Sequence, residues 1–199
     1  MTLLNGPHTV LSPVAFLSGV NIVRDACQHP VIGKYIHRVM FDELMETLNL
    51  PKQELEKFAA DVLERFNNPF VDHQVTSIML NSFPKFKTRD LPGLKEYLHR
   101  KGVLPEGLVL GLAAIITYYK GGKRADGIDI VPDDSPEIIQ LMKELWATDP
   151  IRAIGEKVLA EESIWNENLN EIPGLTDRIA YYLNAIQTKG MLETVKEII

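Results

Sequence analysis

A mostly α-helical fold, packed as one unit over residues 1–199, is what this sequence predicts, and three observations predict it. Apolar residues recur at helical spacing in stretch after stretch. Prolines and capping residues stand where those stretches begin. Strand–helix alternation is missing, and so are G-x-G-x-x-G and G-x-x-x-x-G-K-[ST], so the chain itself offers no dinucleotide-binding sheet and no cofactor site. At 199 residues, 45% hydrophobic and 24% charged, the chain is long enough to bury a core without disulfides or metal.

Taken in order, Ile32, Ile36, Val39, Met40, Leu44 and Leu48 form a first apolar stripe. Leu55, Phe58, Ala59, Val62, Leu63 and Phe66 form the next. Pro51 stands at its first turn, and Asn67-Asn68-Pro69 ends it. Pro92 to Arg100 and Pro105 to Tyr119 read as proline-opened helices. Leu108 to Tyr119 is the most apolar segment, broken by Gly111 and too short for the ~20 residues of a bilayer span. It therefore reads as a buried central helix. Ser135-Pro136 opens a helix to about Trp146, with the serine as cap, and Asp149-Pro150 repeats the device through Leu159. Leu175, Ile179, Tyr182, Leu183 and Ile186 form a last stripe, stopped by Gly190. Between these, Gly121 to Gly127 is loop chemistry, and Ile128 to Val131 is a candidate short extended piece. Trp146, Trp165, Tyr118 and Tyr119 read as core or interface residues.

Net charge and residue counts exclude several functions. The formal charge is -6 with no offsetting basic run, which disfavours nucleic acid. Cys27 is alone, so no internal disulfide forms, and no secretion signal opens the chain. The expectation is a cytoplasmic protein that does not enter membranes. Asp72-His73 has no second ligand group at helical spacing, and His29, His37 and His99 are scattered, so no metal site is expected.

Two segments carry candidate chemistry. Asn5-Gly6-Pro7-His8 reads as a sharp turn leading into an apolar helix, bringing an amide and an imidazole to one cleft. Such a pair suits holding a hydroxyl or carbonyl oxygen, although turn chemistry alone also accounts for Asn and Gly. Lys85, Lys87 and Arg89 alternate after Pro84 and, if extended, share a face suited to a carboxylate; a solvated basic face is the competing account. Asn81 and Ser82 stand just before them as candidate partners for sugar hydroxyls, or as helix C-caps.

Leu3-Leu4-Asn5-Gly6-Pro7-His8-Thr9 resembles the active-site segment of the polyol-specific long-chain dehydrogenases, the mannitol dehydrogenase family. The resemblance continues through Glu64 to Phe70, Asp72-His73-Gln74, Ser77 to Ser82, Lys85 to Arg89 and Leu104 to Gly121. It is closest to the hexuronate-reducing branch, whose members interconvert D-tagaturonate and D-altronate with NAD(H). The resemblance implies a multi-helical C-terminal domain similar to those of mannitol dehydrogenase and 6-phosphogluconate dehydrogenase. It assigns oxyanion stabilisation to Asn5, orientation of the substrate oxygen to His8, and substrate binding to Lys85. The family's catalytic lysine would fall one residue before Met1, and its Rossmann-type NAD domain lies upstream. The chain is then expected to be the substrate-side domain of such an enzyme, inactive alone, with an exposed apolar patch near its N-terminus for the NAD domain and dimerisation as an option. The alternatives are a freestanding helical binding or assembly module, or a fructuronate or mannitol dehydrogenase domain.

Overall fold

The computed structural model describes residues 2–199, Thr2 by its backbone alone. Its first half runs α1 (Thr2–Leu17), α2 (Val23–Gln28) and α3 (Ile32–His37), the last continuing into a π-helical segment (Arg38–Leu44) and a 3₁₀ turn (Met45–Thr47). Then follow α4 (Lys52–Phe66), α5 (Val75–Ile78), α6 (Ser82–Arg89), α7 (Leu91–Lys101) and α8 (Glu106–Tyr118). A two-stranded antiparallel ribbon, β1 (Gly122–Lys123) with β2 (Asp129–Ile130), pairs Gly122 with Ile130 and Lys123 with Asp129. The second half is α9 (Pro136–Thr148), α10 (Ile151–Ala160), α11 (Glu162–Trp165), α12 (Leu175–Lys189) and α13 (Met191–Val195).

The core is organised around α8. Every residue from Gly107 to Tyr118 is buried, as the unbroken apolar run requires. The helices α1 and α12 both pack along it. Gly111 permits the closest approach, since a Cβ there would lie 2.5 Å from Val10. Side chains such as Val10, Leu11, Leu112 and Ile116 are wholly excluded from water, each contributing roughly 1.5–3 kcal/mol by burial.

The start of α8 is held by an acid from elsewhere in the chain. Glu43, 1% exposed, accepts from the backbone N–H groups of Gly107 at 2.7 Å and Leu108 at 2.9 Å. These are amides that a first helical turn leaves without partners. Arg38 completes the group, its Nε 3.1 Å from Glu43 and its Nη1 donating to the carbonyl of Ile198 at 2.6 Å. Both residues lie in the π-helical segment, whose wider turn departs from the regular helix here. A side chain at 107 would meet Val39 and the Glu43 carboxylate at 2.7 to 3.0 Å, so glycine is required there.

The fold is mostly helical, as the sequence predicts, and the candidate extended piece pairs as a strand over Asp129–Ile130. Three local expectations change. Arg124, read as part of an exposed loop, is 7% exposed; it donates to the Phe16 carbonyl at 2.8 Å and pairs with Asp126. Ser135 caps α9 by accepting from Ile138 N–H, but Asp149 does not cap α10. Its carboxylate is taken by Lys157 at 2.8 Å, an ion pair that outcompetes the local cap.

The largest change is at the N-terminus. The sharp turn expected at Asn5 to His8 is absent, and the chain from Leu3 through His8 is already helix. Two prolines, Pro7 and Pro13, stand inside α1, each removing a backbone donor. Burial of Leu3, Val10, Leu11, Val14 and Ala15 outweighs that loss. Gly6 is present for a close approach: a Cβ there would lie 2.6 Å from Asp90 Oδ1.

Candidate functional site

On α1, Asn5 and His8 lie three residues apart and so share a helix face, by helical geometry rather than by the expected turn. Both are half-buried. His8 stacks on Phe66 of α4, ring centroids 3.7 Å apart, and meets His73 edge-on at 5.7 Å. Burial, then the nearby His73 and Arg89, push its pKa down to about 4. The imidazole is therefore neutral at ordinary pH, with one N–H donor and one lone pair. No described residue hydrogen-bonds the Asn5 amide, although its backbone carbonyl accepts from the Thr9 hydroxyl at 3.0 Å.

A cleft of about 260 Å³ opens over His8. Leu4 and His8 supply one side and Val23 another, Arg65 and Phe66 come from the last turn of α4, and Asn68, Val71 and His73 come from the loop that follows. That loop is fastened. Arg24 donates to the Pro69 carbonyl at 3.1 Å and pairs with Asp72 at 2.7 Å, while Val23 N–H donates to the His73 carbonyl at 3.0 Å. At its tip Phe70 is 93% exposed and Val71 53%. The broad apolar patch expected near the N-terminus is not found on α1, whose residues from Leu3 to Leu17 are buried or half-buried; the exposed apolar side chains nearby are Phe70 and Val71 of this loop.

The basic segment is helical, not extended. Pro84 falls in the first turn of α6, where a missing N–H costs nothing, and the chain continues as helix to Arg89. Lys85 and Arg89, four apart, share a face, whereas Lys87 points elsewhere on the helix. Arg89 donates to Thr9 Oγ1 at 3.3 Å, which fixes it against α1. Lys85 donates to the Ile78 carbonyl at 2.7 Å, and partial burial, then Arg89, lower its pKa. Ser82 is buried and gives its hydroxyl to the Met79 carbonyl at 2.6 Å. Asn81 is exposed, adopts a left-handed conformation (φ 51°) and begins α6 rather than ending a helix.

Charge pairing marks the cleft out. Arg24, Arg38, Arg100, Arg124, Arg152 and Arg178 each pair with a carboxylate. Arg65 and Arg89 pair with none among the described residues, and both act at His8, one as cleft wall and one through its charge. Beside Arg89 and against Gly6, Asp90 is fully buried, neither oxygen hydrogen-bonded to a described residue, and burial raises its pKa well above the carboxylate range. A larger cleft of about 630 Å³ lies between His37, Glu46, Lys52, Glu56 and Lys101; there acids and bases offset one another, and none of the expected residues lines it. Among the described residues no three His, Cys, Asp or Glu side chains gather as metal ligands, and no helix is long and apolar enough to cross a membrane.

Sequence reading missed Arg65, His73 and Asp90. Arg65 passed for one residue of a polar helix face and His73 for half of a lone acid–imidazole pair. The signal available was the helix stop at Asn67-Asn68-Pro69, which turns the chain so that residue 73 meets the His8 ring stacked on Phe66.

Comparison with known proteins bears on the family and the fold. Residues 1–187 match the family described as Mannitol dehydrogenase C-terminal domain. The chain is 76% identical over all 199 residues to altronate oxidoreductase of Phocaeicola vulgatus and 42% identical over 197 residues to that of Bacillus subtilis. It spans 42% and 39% of the length of those relatives. In fold it is similar to Pseudomonas fluorescens mannitol 2-dehydrogenase, solved as a ternary complex with NAD and D-mannitol, with a TM-score of 0.85, 23% identity, and coverage of 98% of this chain and 39% of that one. The helical fold, the matched residues and the relatives together place this chain in the mannitol dehydrogenase C-terminal domain family.

Proposed function

We propose that this chain is the substrate-side part of an NAD-dependent altronate oxidoreductase, interconverting D-tagaturonate and D-altronate. The observation that carries the reading is the His8 cleft. The neutral His8 imidazole, on the same helix face as the Asn5 amide, stands in the cleft with Arg65 and within the field of Arg89, two arginines with no carboxylate partner among the described residues, which suits a polyhydroxylated acid. The relatives named altronate oxidoreductase support the same assignment.

In this reading Asn5 donates its amide to the oxygen of the reacting carbon, where negative charge grows during reduction. His8, held flat against Phe66, fixes the direction of the same oxygen. Arg89 and Lys85 supply positive charge that favours an anionic substrate; the exposed Asn81 is left for an outer hydroxyl, Lys87, on another face of α6, is given no substrate contact, and Ser82 acts by holding the start of α6. The role proposed for this chain is confined to the substrate. The relatives' additional length is where an NAD-binding domain and a general acid–base lysine are proposed to lie.

The test is NADH consumption with D-tagaturonate by this chain alone and by the chain mixed with a separately made upstream domain. Silence alone and turnover on mixing is the expected result, abolished by Asn5→Ala or His8→Ala in the chain. Silence in both, with both parts folded, overturns the reading in favour of a binding module.

A further inference from the structure

We propose that Arg65 and His73 form the subsite that grips the carboxylate end of the substrate, and so determine preference for a sugar acid over a neutral polyol. The inference rests on the proposed function and adds to it the side of the cleft that reads the acid. Three observations carry it. Arg65 and His73 both line the cleft over His8, one from the last turn of α4 and one from the fastened loop. Neither side chain hydrogen-bonds or ion-pairs with a described residue. By contrast the other basic groups nearby are committed, Lys85 to the Ile78 carbonyl and Arg89 to Thr9.

Geometry fits the assignment. The His73 ring lies 5.7 Å from that of His8, so a group bound at His73 is displaced from the oxygen bound at His8 by the reach of a short carbon chain. A guanidinium offers two parallel N–H donors to one carboxylate, and an imidazole N–H completes the set. Asp72, on the same loop as His73, is held by Arg24 at 2.7 Å. The cleft lining contains Arg65 and no acid, a positive wall in a chain whose net charge is -6. Arg65 and His73 are both solvent-accessible, as a binding wall must be.

The experiment measures binding of D-altronate and of its neutral analogue D-altritol to the protein, with the His8 and His73 imidazole signals followed by NMR. Altronate is expected to shift both signals and to bind at least about tenfold more tightly than altritol, since charge-assisted hydrogen bonds to one carboxylate are worth that or more. Arg65→Ala is expected to remove the preference, Arg65→Lys to restore part of it, and His73→Gln to weaken it less. Circular dichroism of each variant confirms that it is folded. If altronate still shifts His8 and keeps its advantage over altritol in Arg65→Ala, the carboxylate subsite proposed here is wrong while the substrate assignment stands. If altronate shifts neither imidazole in the unaltered protein, both fall together.

Discussion

Two buried carboxylates, in two regions of one core, are treated in opposite ways. Glu43 is surrounded by donors: two helix amides and Arg38. Asp90, pressed against Gly6 beside the candidate site, has no hydrogen-bonding partner among the described residues. Burial raises the pKa of both, but only at Glu43 do hydrogen bonds pull the other way. The first region is built for stability. The second spends stability close to the residues that would handle substrate, as buried groups at functional sites often do.

The difference can be broken most strongly at Glu43. Glu43→Ala strands Arg38 and two amides at the head of the central helix, and about 3–5 kcal/mol of unfolding free energy should be lost in a denaturant titration. A loss below about 1 kcal/mol would mean that the capping group is not what holds α8.

The next effect belongs to His8. Its folded-state pKa is depressed to about 4 from 6.5, so the fold favours the neutral ring. Stability is therefore kept above about pH 6.5 and lost as pH falls toward 4, by on the order of 3 kcal/mol across that window. His8→Gln should flatten this acid limb of the stability–pH curve; an unchanged limb would place the titration elsewhere.

Smaller changes sharpen the contrast at Gly6 and Asp90. Gly6→Ala drives a methyl group into Asp90 Oδ1 and should cost roughly 1–3 kcal/mol, much of it recovered in the Gly6→Ala/Asp90→Ala double variant. Additive losses would show that the two residues do not meet. Asp90→Asn should have the smallest effect and the opposite sign. A carboxyl with a raised pKa contributes most below its ordinary range and loses that contribution as pH rises, so the amide should stabilise the protein more at pH 7 than at pH 4.

Much of the architecture is legible in the sequence because apolar spacing and proline placement agree over long stretches. The helices α4, α8, α9, α10 and α12 match their stripes closely, and the burial of Leu108 to Tyr119 follows from composition alone. The segment 5–8 is misread because its local chemistry, Asn-Gly-Pro, favours a turn, and burial of Leu3, Gly6 and Pro7 overrides it. Lys85 to Arg89 is misread for the same reason in miniature: alternating charges look extended until Pro84 is seen to start a helix. Within the site, Asn5, His8 and Lys85 come from the family resemblance, and Arg89 from charge. Asp90 is legible only in three dimensions, since it owes its meaning to Gly6, far away in sequence, and His73 is only hinted at by the helix stop before it, its partner His8 being equally remote.

The fastening of the 67–74 loop by Arg24 has a further consequence. A wall already tied to α2 through Pro69, Asp72 and His73 has little freedom left to lose when a ligand arrives. Recognition at such a wall draws less on induced closure than on a shape held ready beforehand, so the entropy of ordering this loop is met during folding and is not deducted from affinity. Cutting the tie with Arg24→Ala should leave the cleft's chemistry unaltered and yet slow and weaken capture, because each encounter must then wait for the loop to find its place.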